Sequence, residues 1–185
     1  MVTDSFTNLV TILKQNSLEA LRAESNFEQL ILQENNDLKK LNFRDRIACI
    51  FLVGSGLQIN FKLYYWLDDV VFLLQRFHRD LSRSSLEYKA RDFAKEVTNI
   101  TVGRLKSLLK EGGLNLGQSL PVTIDGFNQI FSLKNLPNKL QTSWDILGPE
   151  IDFCCLCEVF CPNERVEKII KNLDPQTIAN NIDLF

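Results

Sequence analysis

The chain has 185 residues, 45% of them hydrophobic, which is enough for one domain with a sizeable core. A formal charge of −2 and a pI near 5.5 leave no basic stripe to neutralise phosphates, which argues against nucleic acid as a partner. There is no run of about 18 apolar residues, and the N-terminus, Met1-Val-Thr-Asp4, opens on an acid where a signal peptide needs basic residues. No membrane association and a cytoplasmic location are therefore expected.

In chain order, residues 6 to 40 read as helix. Phe6, Leu9, Val10 and Leu13 recur at helical spacing, followed by Leu18 and Leu21 and then Phe27, Leu30 and Ile31. Asp4 or Ser5 would be its N-cap, and Asn35-Asn-Asp37 breaks the pattern. Residues 45 to 53 and 57 to 66 read as a hairpin around Gly54-Ser-Gly56. In its second strand Gln58, Asn60 and Lys62 alternate with Ile59, Phe61 and Leu63, which predicts burial on one side only. Capped by Asp68 or Asp69, Val70 to Leu81 reads as a helix. A longer one spans Leu86 to Lys110 and stops at Gly112-Gly113. Strands are expected over 122 to 124, 129 to 133, 141 to 147 and 151 to 160, and a last helix over Glu164 to Leu173. The class is α+β: antiparallel strands with helices on one face.

Most of the candidate chemistry has a plain structural reading. Cys154, Cys155, Cys157 and Cys161 crowd together, but Ile151 to Phe160 has strand composition. Alternation sends Cys155 and Cys157 to one face with Phe153 and Val159, and Cys154 to the other. Strand neighbours do not converge on one tetrahedral ion, so buried reduced thiols are expected and no metal. Five cysteines, an odd number, agree with a reducing compartment. The lone His78 has no partner at a triad spacing and reads as a bland helix residue. Gly54-Ser-Gly56 lacks the length and the following Lys of a phosphate loop. Arg76, Arg79, Arg83 and Lys89, interspersed with Asp80 and Glu87, read as a solvated face. Asp145, Glu150 and Asp152 are expected to be solvated acids rather than a cation site.

One stretch stands apart: Asp92-Phe-Ala-Lys-Glu96-Val-Thr-Asn99-Ile-Thr-Val-Gly103. On a helix, the offsets 0, +4, +7 and +11 put Asp92, Glu96, Asn99 and Gly103 on one stripe roughly 60° wide. Phe93, Val97, Ile100 and Leu108 fall on the opposite, core-facing side. A helix-interior Gly costs about 0.5–1 kcal/mol relative to Ala, so Gly103 suggests close approach by another surface. Taken as residues alone, the stripe is more simply a polar outer face.

The same residues carry a family resemblance that reverses this weighting. The pattern Asp-x-x-x-Glu-x-x-Asn-x-x-x-Gly resembles the signature helix of the CheC/CheX/FliY chemotaxis phosphatases. Leu116-Gly-Gln-Ser-Leu-Pro-Val-Thr-Ile-Asp-Gly126 resembles the Ser-Leu-Pro segment that follows it in CheX, and Ile47 to Leu63 resembles the family hairpin. The similarity covers about residues 45 to 162, with one signature helix, as in CheX. Residues 1–185 would form one CheX-like domain, flanked by an N-terminal helical segment (1–40) and a C-terminal helix and tail (163–185).

The resemblance implies a hydrolase acting on the phospho-aspartate of a CheY-type response regulator. Asn99 would position the attacking water and Glu96 would pair with the regulator's lysine. Asp92 would orient or cap the stripe, and Gly103 would let the partner backbone approach. The protein would need no cofactor of its own, since Mg²⁺ comes with the bound regulator, and it would be a homodimer. The rival is a non-catalytic adaptor of the same fold that binds a response regulator or a flagellar-motor component. A small-molecule-binding domain is a third possibility, and the stripe is the only convergent polar cluster that would serve it.

Overall fold

The structure is a computed structural model, described here for residues 6–35, 44–125 and 139–175. Helix α1 (Thr7–Ser25) buries Leu9, Ile12, Leu13, Ala20 and Leu21 along one face. It ends at Asn26, whose left-handed conformation (φ 55°) an asparagine tolerates better than most residues. The expected helix over 6 to 40 is therefore too long. After Asn26 the chain extends into strand β1 (Ile31–Asn35), which carries Leu30 into the core and Ile31 out to solvent. The proposed caps Asp4 and Ser5 lie outside the described residues. Phe6 precedes the helix without a side-chain cap bond.

Strands β2 (Arg46–Gly54) and β3 (Leu57–Tyr65) form the expected hairpin, in register from Arg46↔Tyr65 to Gly54↔Leu57. The two loop residues, Ser55 (φ 52°) and Gly56 (φ 78°), both have positive φ, as a type I′ turn requires. Further on lie β4 (Gly117–Gln118), β5 (Val122–Asp125), β6 (Lys139–Leu147) and β7 (Asp152–Phe160). The seven strands make one antiparallel sheet in the order β1-β6-β7-β3-β2-β4, with β5 also paired to β2. No local pattern marks the two-residue β4, and the strand expected over 129 to 133 falls outside the described residues.

Strand β3 sits between β2 and β7, and both of its faces are covered. This corrects the one-sided reading: Asn60 and Lys62 are buried at 1% and 3% exposure. Lys62 Nζ lies 3.2 Å from Glu158 Oε2, the Asn60 amide donates to the same oxygen at 2.9 Å, and Lys139 Nζ lies 2.9 Å from Glu158 Oε1. Polar alternation here records a buried charge network rather than a wet face.

Helices α2 (Leu67–Gln75), α3 (Arg83–Glu111) and α4 (Glu164–Lys171) complete the fold. The expected helix over 70 to 81 is displaced toward the N-terminus. The Leu67 N–H is satisfied by Asp45 Oδ1 at 2.9 Å, a cap from a distant segment, so Asp68 and Asp69 lie in the first turn instead of capping it. Ser82 caps α3 by accepting from the Ser85 N–H. Gly113 (φ 86°) closes that helix, with its N–H bonded to Lys110 O and the Leu114 N–H to Leu109 O.

Helix α3 packs through Phe93, Ala94, Val97, Val102, Leu105 and Leu109 into the core shared by α1 and the sheet, with Phe93 6.4 Å from the Phe153 ring. Cys155 and Cys157 belong to this core, while Cys154 and Leu156 join Ile47 and Tyr64 on the other face, as alternation predicts. No helix among the described residues is long and apolar enough to cross a membrane.

Candidate functional site

Helix α3 is held with one face against α1 and the sheet, which turns the Asp92–Gly103 stripe outward. Asp92 and Glu96 are exposed and Asn99 and Gly103 half-buried, whereas Phe93 and Val97 are in the core. Four sequence-predicted residues are thereby brought onto a single open face. Asp92 is tied to its own helix, with its carboxylate 3.0 Å from Lys95 Nζ one turn on. Among the described residues no cation lies within ion-pair distance of Glu96. A Cβ added at Gly103 would meet nothing within 4 Å. The glycine is thus not required by packing among the described residues.

Asn99 is the anchored member. Its Oδ1 accepts from Gln118 Nε2 at 2.9 Å, linking α3 to the short strand β4. Gln118 lies inside the Leu116–Gly126 segment, where nothing local marks a partner 19 positions away. Tyr88 extends the same outer face. It lies one turn before Asp92 on the same stripe, is 65% exposed, and could have been found by extending the periodicity N-terminally.

Beside the stripe lies an open cleft of about 570 Å³. Glu24 and Asn26 contribute from the end of α1, Phe77 and His78 from the turn after α2, and Lys89, Asp92 and Glu96 from α3. Burial, with the nearby charge of Glu96 adding to it, raises the Glu24 carboxyl above its ordinary value. Acids outnumber bases around this cleft, which suits a cationic guest.

The remaining candidates resolve structurally. His78 follows α2 in a turn rather than lying on a helix, and sits at the cleft rim. Of the three acids expected to be solvated, Glu150 is exposed and Asp145 and Asp152 are half-buried, and all three are paired with arginines. Arg44 Nη2 lies 2.5 Å from Asp152 and 3.7 Å from Asp145, and Arg76 pairs with Glu150. All five cysteines are buried, and burial pushes each thiol upward, away from the reactive thiolate. Among the described residues no three His, Cys, Asp or Glu side chains converge in a way that could hold a metal ion.

An antiparallel sheet covered on one face by helices, the longest presenting an acid–amide stripe, defines an α+β class that comparison with known proteins narrows. No protein-family model and no curated protein matches the sequence. Solved structures do match the fold. CheX from Vibrio vulnificus superposes with a TM-score of 0.64 at 15% identity, over 80% of this chain and 96% of that one. A CheC-like superfamily protein from Shewanella sp. PV-4 gives 0.63 at 16% identity, over 83% and 97%. A chain of the CheX–CheY–BeF3–Mg²⁺ complex from Borrelia burgdorferi gives 0.64 at 14% identity, over 84% and 99%. The fold of this chain is the CheC/CheX fold.

Proposed function

We propose that this protein is a phosphatase that removes the phosphoryl group from the aspartate of a CheY-type response regulator. The observation that carries the reading is a Glu96 with no ion-pair partner among the described residues and an anchored Asn99, one turn apart on the open face of α3, in a fold shared with CheX proteins. One of the solved proteins with this fold was captured with CheY. In the proposed reaction a water attacks phosphorus in line with the bond to the aspartyl oxygen. That bond breaks, and phosphate and free aspartate leave. No nucleophile is required of this chain. Asn99 accepts a hydrogen bond from the water and keeps the water oxygen's lone pair aimed at phosphorus, a positional effect worth large factors in rate. Glu96 pairs with a lysine of the regulator and sets the docking register, and the acidic cleft beside it favours the same cation. Mg²⁺ comes with the regulator. The protein acts in the cytoplasm, as a homodimer.

An adaptor that binds without hydrolysis is the second reading. The exposed carboxylates of Asp92 and Glu96 would suffice for it, because docking needs charge complementarity and no free acceptor on Asn99. Loss of phosphoryl label from the regulator, measured with and without this protein, separates the two. Asn99→Ala should lower the rate about a hundredfold while binding persists, since only water positioning is removed. Glu96→Ala should weaken binding and rate together, with an effect that shrinks at high salt. Wild-type protein that binds a regulator but never accelerates dephosphorylation makes the adaptor reading the correct one.

A further inference from the structure

We propose that Gln118 is a positioning residue for Asn99, holding the side-chain amide in the one orientation that leaves its oxygen able to receive water. The inference rests on the hydrolytic reading above. Gln118 Nε2 donates to Asn99 Oδ1 at 2.9 Å, so one lone pair of that oxygen is filled and the other stays available. A side-chain amide otherwise has two nearly equivalent faces, and only one presents the acceptor. Donation into the carbonyl also polarises it, which strengthens it as an acceptor toward a second donor.

The residue that does the holding is itself held. Leu52 and Val53 of β2 pair with Gln118 and Gly117. The next residue is clamped twice: the Ser119 N–H donates to Phe51 O at 2.9 Å, and Ser119 Oγ accepts from the Phe51 N–H at 3.0 Å. On the leading side the hairpin turn presses on residues 115 and 116, with Ser55 Oγ donating to Asn115 O at 3.2 Å. A strand of only two residues is thus fixed along its length by the central hairpin. The Gln118 side chain is its one contribution to the outer face of α3. Both partners are half-buried at the rim, so the bond closes no part of the core.

The test uses the full chain and a phosphorylated CheY-type regulator. Gln118→Ala should lower the maximal dephosphorylation rate about tenfold with the half-saturating regulator concentration unchanged. Gln118→Glu keeps the length of the side chain but offers only acceptors at neutral pH, so it should lose at least as much. In an Asn99→Ala background, Gln118→Ala should change nothing further. A readout independent of turnover comes from the side-chain amide signals of ¹⁵N-labelled protein without regulator, where Asn99→Ala should shift the Gln118 Nε2 protons. Wild-type rates in both Gln118 variants, beside an active wild type, overturn the assignment of Gln118 and leave the hydrolytic reading standing. Additive losses in the double variant overturn it too, by assigning Gln118 a role apart from Asn99. A wild type that binds regulator without accelerating hydrolysis overturns the underlying reading and the positioning role with it.

Discussion

Two glycines illustrate how residues of one type answer to opposite demands. Gly54 has φ +153°, and a Cβ there would lie 2.7 Å from Asn115 O and 3.3 Å from Leu116 Cα, both backbone atoms that cannot swing aside. Gly54→Ala should therefore destabilise the protein, by about 1–3 kcal/mol for a strained backbone position. It should also shift the Gln118 amide signals, since the segment it presses on leads into β4. Gly103 is the reverse case, in the interior of α3 with open space where a side chain would go. Gly103→Ala should raise stability by about 0.5–1 kcal/mol, seen as a higher denaturant midpoint. On the proposed function it should also weaken binding of the phosphorylated regulator. A stabilised variant that binds as well as wild type would remove Gly103 from the interface.

Helix α3 was legible in the sequence nearly whole, both its length and its division into a core face and an outer stripe. A continuous 3.6-residue pattern with a double-glycine stop leaves little room for another structure, and only the first turn, capped by Ser82, lies ahead of the expected start at Leu86. The same helix supports two predictions of opposite kind. Phe93, buried against Phe153, should cost about 3–5 kcal/mol when replaced by Ala, measured by chemical denaturation. On the proposed function, Tyr88, exposed and one turn before Asp92, should leave the melting temperature unchanged on Tyr88→Ala while lowering regulator affinity several-fold, because aromatics at an interface carry much of its energy. Elements whose boundaries depend on distant partners were less legible. Helix α2 starts where Asp45 reaches the Leu67 N–H, across 22 positions. β1 follows α1 because it can pair with β6, more than a hundred positions on, although Phe27, Leu30 and Ile31 continue a helical spacing. β4 exists only as a partner of β2.

At the scale of the whole molecule, the face of the sheet lined by Asn60, Lys62 and Glu158 was the least readable part. Gln58, Asn60 and Lys62 have the alternation of a strand wet on one side, and only the burial of Asn60, Lys62 and Glu158 in the folded chain shows that this face is covered. What makes the burial tolerable is Glu158, fully buried on β7, which meets Lys62 from β3, Lys139 from β6 and the Asn60 amide. Those partners come from positions 60, 62, 139 and 158, and no local pattern links them. A buried pair of this kind is weak evidence of net stabilisation, since desolvating the charges offsets their attraction, but removing one side leaves the other charged in a dry site. Glu158→Ala should therefore cost about 3–5 kcal/mol, far more than deletion of the exposed carboxylate Glu96. Lys62→Met should be milder, because Glu158 keeps Lys139 and Asn60 and the methionine fills the space of the lysine stem. Denaturant unfolding of the two variants measures the asymmetry. Equal and small losses in both would mean that water reaches the network and that this face of the sheet is wetter than its packing indicates.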